Sequence, residues 1–279
     1  MPEIAAESFL VTDTVTIRDV RCRGHQAHQG DEESTTATHL VFPYRGVFVR
    51  HLGSDQAVAE ANQVLFFNRT ESYRVSHPVP GGDASLDLVI SAPVLQELAP
   101  RTLLREGAPL AFRGQRLRID ARSQALVALL RHSLRQRIAE PLEAESLALT
   151  LARRALGPRT AHAPGGSVGR QRTADRTKLV LASDPARRWT LAEIAAEVGH
   201  SPVYLTQVFQ QVEGLPLYQY QLRLRLARAL ELLPQYDDLT SLGLDLGFYS
   251  HSHFSTAFAK AYGCPPSKFK QAASPRRIS

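Results

Sequence analysis

Leu191-Ala-Glu-Ile-Ala-Ala-Glu-Val-Gly199 recurs 48 residues later as Leu239-Thr-Ser-Leu-Gly-Leu-Asp-Leu-Gly247, and this recurrence decides the fold of the last hundred residues. Beyond the glycine the offset becomes 49 and pairs Ser201 with Ser250, Leu205 with Phe254, Phe209 with Phe258, Gly214 with Gly263, Pro216 with Pro265 and Tyr220 with Phe269. Such a pattern is two copies of one supersecondary unit. In the first copy Leu191, Ile194 and Val198 share one helical face. Ala195 is small enough to let a second helix approach, and Gly199 supplies a tight turn. Ser201 then caps a new helix with Pro202 at its first position, which predicts helix-turn-helix geometry.

The second helix of that unit turns Leu205, Val208 and Phe209 inward and leaves Pro202, Val203, Thr206, Gln207 and Gln210 outside, beyond the cap Ser201. These outward residues are short, or neutral and polar. Such a face fits a major groove about 12 Å wide, where Gln pairs with adenine and the methyl groups of Thr or Val meet that of thymine. In the second copy Phe248 anchors the turn, Ser250 caps, and Phe254 and Phe258 pack inward, exposing His251, Ser252, Ser255, Thr256 and Lys260. Between the copies, Gln219–Leu233 reads as one helix with Leu222, Leu226, Leu230 and Leu233 buried and Arg223, Arg225 and Arg228 more exposed. At 1.5 Å per residue it spans roughly 20 Å, a spacer able to hold two recognition helices about one DNA turn (~34 Å) apart. Phosphate contacts are expected from Arg187, Arg188, Arg223, Arg225, Lys260 or Lys268.

The segment Leu246-Gly-Phe-Tyr-Ser-His-Ser-His-Phe-Ser-Thr-Ala-Phe258, followed by Tyr262-Gly-Cys-Pro-Pro-Ser-Lys-Phe269, resembles the DNA-binding domain of the AraC/XylS family of bacterial transcription regulators. Gly199-His-Ser-Pro-Val-Tyr-Leu-Thr-Gln-Val-Phe209 adds to the likeness, which covers about the last hundred residues. Gln207 and Gln210 stand where members often carry basic residues, and Gly243 replaces the usual alanine. The first departure should alter base preference. The second should cost helix stability, about 1 kcal/mol for glycine against alanine. The resemblance implies a sequence-specific regulator of double-stranded promoter DNA with RNA polymerase as a partner. It also implies a first half that senses a small effector or pairs two chains as a homodimer, commonly a cupin-like β-barrel followed by helices.

Charge and composition agree with a polyanionic partner. Of the 279 residues, 43% are hydrophobic and 22% charged, so the chain has the material for buried cores. Residues 1–100 carry 7 Lys and Arg against 13 Asp and Glu, residues 101–172 carry 14 against 5, and residues 173–279 carry 12 against 9. An acidic first third precedes a basic remainder, and basic side chains that neutralise phosphates gain free energy from released counterions. No apolar run approaches the roughly 18–20 residues a bilayer requires, and Met1-Pro-Glu-Ile lacks a basic segment before an apolar one. With only Cys22 and Cys264, no disulfide framework can form, and a cytoplasmic location is expected.

The fold class read from these patterns is α+β in two domains. Residues 1–156 form a sensory or dimerising domain, with a cupin-like barrel over 8–90 and helices over 91–156. Residues 157–173 form a flexible linker and 174–279 the DNA-binding domain. Short β-rich runs, Val15-Thr-Ile, His39-Leu-Val-Phe, Gly46-Val-Phe-Val-Arg, Val64-Leu-Phe-Phe and Leu86-Asp-Leu-Val-Ile, alternate with turn residues. Ser123–Arg137 and Pro141–Leu156 then show helical spacing. The seam Leu126, Leu129, Leu130, Leu134 serves either chain pairing or cover for the barrel.

The competing class is a metal-dependent cupin enzyme fused to a helical binding domain. Its support is Cys22-Arg-Gly-His25-x-x-His28-x-x-x-Glu32 with His39, His51 and His77 elsewhere. However, His25 and His28 are three apart, whereas strand ligands facing one interior must be two apart. No nucleophile with a base and an orienting acid is evident, nor a phosphate-binding glycine loop or paired catalytic carboxylates. The expectation is a non-enzyme with no cofactor and no metal.

Overall fold

The computed structural model describes residues 3–107, 110–158 and 165–273. The first half contains β1 (Glu3–Val11), β2 (Val15–Arg23), β3 (His39–Arg45), β4 (Phe48–Leu52), β5 (Asp55–Ala59), β6 (Gln63–Phe67), β7 (Arg74–Ser76) and β8 (Asp83–Ile90). After β8 come a short helix α1 (Ala92–Leu98), a strand β9 (Arg116–Arg118) and the helices α2 (Ala121–Arg135) and α3 (Pro141–Leu156). Six strands form one antiparallel sheet in the order β1-β2-β8-β3-β6-β9, and β5-β4-β7 form a second. The sheet-rich first half expected from the sequence is present, as two sheets that do not close on each other: β1 and β9 end the larger one as edges.

Strand alternation places the cores. Leu40, Phe42, Val64 and Phe66 point to one side of the larger sheet, where Val127 and Leu130 of α2 and Leu151 and Ala152 of α3 cover them. Val41, Leu65 and Phe67 point to the other side, against Phe48, Ala57 and Ala59 of the smaller sheet. In α2, Leu126, Leu130 and Leu134 join the first core, while Leu129 stays partly exposed at 37%. Most of that seam thus covers the sheet. The β1 segment was not read as a strand because Glu-Ile-Ala-Ala-Glu lacks apolar alternation, and it pairs along one edge only, with β2.

The second half comprises α4 (Val168–Ser183), α5 (Leu191–Val198), α6 (Pro202–Glu213), α7 (Leu217–Leu232), α8 (Leu239–Asp245), α9 (His251–Tyr262) and α10 (Pro266–Ala273). Residues 168–173, read as linker, are the first turns of α4. Residues 159–164, also in that linker, lie outside the described residues.

The two halves pack on each other through a buried polar seam. Lys178 of α4 pairs with Glu213 at the end of α6 (2.5 Å) and with Asp175 (3.5 Å), and Asp175 also takes Arg116 of β9 (2.8 Å). Tyr220 of α7 donates its hydroxyl to Glu60 and accepts from Gln63 Nε2 (3.1 Å). Burial pushes the Glu213 carboxyl up, but Lys178 and Arg116 outweigh it and hold it below the ordinary value. At Glu60 burial wins over Lys178, and the carboxyl is raised. Such a network is costly to bury, so its value lies in fixing one arrangement of its partners rather than in net stability.

Candidate nucleic-acid interface

Both helix-turn-helix units are built by local chemistry in the sequence. Thr190 caps α5, accepting from the Glu193 backbone, while Glu193 accepts from the Thr190 N–H in return, a complete capping box. Gly199 ends α5 in the left-handed region (φ 76°), and Ser201 Oγ accepts from Tyr204 N (3.3 Å) with Pro202 opening α6. The second unit repeats this. Asp238 caps α8, Gly247 turns the chain (φ 80°), and Ser250 Oγ accepts from His253 N (3.1 Å) to start α9. Ile194, Ala195, Val198, Leu205 and Phe209 are buried in the first unit, and Leu242, Gly243, Leu246, Phe254 and Phe258 in the second. Leu191, expected on the buried face, is instead 40% exposed because it sits on the first turn of α5, beyond the reach of α6. Gly243 has a reason: a Cβ there would lie 3.2 Å from the Phe254 Cβ.

The predicted outward faces are outward. Ser201, Pro202, Val203, Gln207 and Gln210 are exposed, and Thr206 is half-buried with its hydroxyl donating to Pro202 O (2.8 Å). Ser250, His251, Ser252, Thr256 and Lys260 are exposed, and Ser255 is half-buried beside His251 Nε2 (3.3 Å). Thr256 and Lys260 also line a cleft of about 500 Å³ shared with Asp120, Ala121 and Arg122 at the start of α2.

The basic residues divide. Arg187 is exposed, stacked over Trp189 (3.8 Å) and paired with Glu193 (2.8 Å). Arg188, also exposed, lies over the Tyr249 ring (4.3 Å) and donates to Phe248 O (3.0 Å). Arg223 is half-buried in the cleft beside Asp120. Arg225 is only 9% exposed: its guanidinium donates to the carbonyls of Pro185, Ala186, Arg187 and Gly247. It joins the loop before α5 to the turn before α9. A Cβ on Gly247 would lie 2.0 Å from Ala186 O, so glycine is required there for close approach as well as for its φ.

One feature at the corners was missed. His200 packs on Tyr204 (4.8 Å) in the first unit and Tyr249 on His253 (5.7 Å) in the second. The 49-residue offset equates His200 with Tyr249 and Tyr204 with His253, so each unit sets one histidine and one tyrosine at its outer corner with their order reversed. The signal was present in the alignment of the two copies. A second grouping was invisible to it: Cys22 Sγ lies 3.5 Å from His77 Nε2, and His77 Nδ1 lies 2.6 Å from Asp83, all three buried. His25 instead approaches Pro78 O on the surface (3.1 Å).

Comparison with known proteins bears on this half of the chain. The family described as Helix-turn-helix domain matches residues 194–272. An uncharacterized HTH-type transcriptional regulator, YidL of Escherichia coli (strain K12), is 31% identical over 107 residues, which is 38% of this chain and 36% of that protein. A putative AraC-like transcription regulator of Streptomyces lividans is 32% identical over 92 residues, covering 33% of this chain and 30% of that one. The chain thus spans about a third of the length of these relatives. A solved transcriptional regulator from Chromobacterium violaceum, described by its AraC-type DNA-binding domain, is 27% identical with a TM-score of 0.37, covering 39% of this chain and 99% of that one. Residues 194–272 thus form a helix-turn-helix domain similar to that of AraC-like transcription regulators.

Proposed function

We propose that the protein regulates transcription by binding promoter DNA in two successive major grooves, with α6 and α9 as the reading helices. The observation that carries this is the duplicated unit itself, two capped helix-turn-helix pairs whose inward residues are buried and whose outward residues are exposed. Gln207 and Gln210 read bases from α6, and His251, Ser252 and Thr256 from α9. Arg187, Arg188 and Lys260 supply phosphate contacts, whereas Arg225, committed to four carbonyls, acts within the protein. The sheet half is the control module, through a small effector or homodimer formation, and the α2 start beside Thr256 and Lys260 gives it a route to α9. RNA polymerase is the downstream partner.

The test is selection of genomic fragments by purified protein at ~150 mM salt. The expected result is a motif with two contact blocks about one helical turn apart. Gln207→Ala should cost on the order of 1–3 kcal/mol and relax preference at one base pair, whereas Arg187→Ala should weaken all sequences alike and flatten the salt dependence. Equal losses on every sequence for both variants would remove the base-reading assignment.

A further inference from the structure

We infer that Cys22, His77 and Asp83 form a binding site for one thiophilic divalent cation, with zinc as the representative ion. The three residues come from separate parts of the chain. Cys22 and Asp83 are register partners where β2 meets β8 in the larger sheet, and His77 follows β7 of the smaller sheet. His77 is fixed there by paired backbone bonds with Gln26, 2.9 and 2.7 Å. The site therefore stitches the two sheets together at one end.

The donor set and its spacing suit the ion. Tetrahedral zinc with a sulfur at about 2.3 Å and a nitrogen at about 2.0–2.1 Å separates those two atoms by roughly 3.5 Å. The observed separation between Cys22 Sγ and His77 Nε2 is 3.5 Å. On the far side of the ring, His77 Nδ1 donates to Asp83 Oδ2 (2.6 Å), which leaves Nε2 as the lone-pair nitrogen facing the sulfur. This is the carboxylate–histidine arrangement that orients metal-binding imidazoles. The Asp83 carboxylate, held on Nδ1, is thus the outer partner of the imidazole, and the cation would sit between Cys22 Sγ and His77 Nε2 with Asp83 close enough to balance its charge. A divalent cation with one thiolate and one carboxylate leaves the buried group electrically neutral, which satisfies the requirement that charge in a low-dielectric interior be matched.

The same three residues in that order also describe a nucleophile, base and acid. Access argues against that use: Cys22 is 4% exposed, and His77 and Asp83 are each 6% exposed. Burial and the neighbouring Asp83 push the Cys22 thiol up to about 11. The segment carrying His77 and Asp83 also carries Val79, which packs, as Leu179 and Ala182 of α4 do, against the cluster of Val47, Val49 and Val58. Occupancy thus bears on the helical half through an apolar cluster that both share.

The test titrates cobalt(II) into the metal-free full-length protein, because cobalt occupies zinc sites and a thiolate ligand gives it a near-ultraviolet charge-transfer band. The expected result is saturation at one equivalent with that band, displaced by zinc. His77→Gln should weaken binding at least tenfold, and Cys22→Ser should abolish the band, while His25→Gln and His28→Gln leave both unchanged. The chain has one other cysteine, Cys264, so a band retained in Cys264→Ser assigns the sulfur to Cys22 even if Cys22→Ser fails to fold. No thiolate band from the wild-type protein, or a band lost in Cys264→Ser, overturns the proposal.

Discussion

At the scale of single residues, Asp120 shows how one side chain serves two elements. Its carboxylate caps α2 by accepting from Ser123 N (2.9 Å), and it holds Arg154 of α3 in a two-point pair, with Nε at 3.0 Å. Burial raises the carboxyl, but Arg154 and Ser123 outweigh it and hold its pKa below 3.8. A depressed carboxylate contributes stability that is present above its unfolded value and is lost as pH falls through the folded one. Asp120→Asn should therefore lower stability by up to about 1 kcal/mol at neutral pH, a figure reduced by solvent screening of a partly exposed pair. In thermal melts, the gap between wild type and variant should close as pH falls from about 4 towards 2 and below. A gap that persists in acid would assign the loss to the cap rather than to the ion pair.

Elements show where sequence reading succeeded and where it failed. The repeat was legible because capping residues, turn glycines and the spacing of Ile194, Val198, Leu205 and Phe209 are all local signals, recorded twice in one chain. The seam of α7 was legible for the same reason: Leu226, Leu230 and Leu233 are buried and Leu222 partly so. Arg225 on that helix was expected outside, because helical periodicity carries no information about a loop 40 residues earlier that packs against it. The two open sheets were likewise hidden, since strand order depends on pairings between distant segments such as β2 with β8. Cys22 was read beside His25 and His28, whereas its partner His77 lies 55 residues away.

The Arg225 junction makes a prediction at the same scale, resting on the DNA-binding proposal. Lysine keeps the charge but cannot reach four carbonyls as the guanidinium fork does. Arg225→Lys should loosen one unit against the other while leaving each folded. On operators whose two blocks are moved apart by one base pair, wild type should lose at least tenfold in affinity and the variant much less. Parallel losses in both proteins would show that the junction does not set the spacing.

For the whole molecule, the seam between the halves decides whether the sheets and the helices act together. Lys178 is fully buried and pairs with Glu213 and Asp175, themselves buried. Lys178→Met fits the space but strands the Glu213 carboxylate, while Asp175 keeps Arg116, and breaking a buried pair from one side costs about 3–5 kcal/mol. Denaturant unfolding should show a loss of that size. Restoring stability by adding Glu213→Gln, with Asp175 left to Arg116, would confirm that uncompensated charge, not packing, caused it.

On the DNA-binding proposal, the contact of Gly247 with the Ala186 carbonyl, bridged by Arg225, also governs how the two reading helices share work. Once one unit has engaged its groove, capture of the second groove is intramolecular, with an effective concentration set by the connection. A flexible tether would spread that concentration over many separations and tolerate many operators. A clamped joint concentrates it at one separation and one rotation about the duplex axis, where each added base pair turns the second groove by about a tenth of a turn. On that proposal the chain is a caliper, and the distance between two short words of DNA becomes as much a part of its target as their spelling.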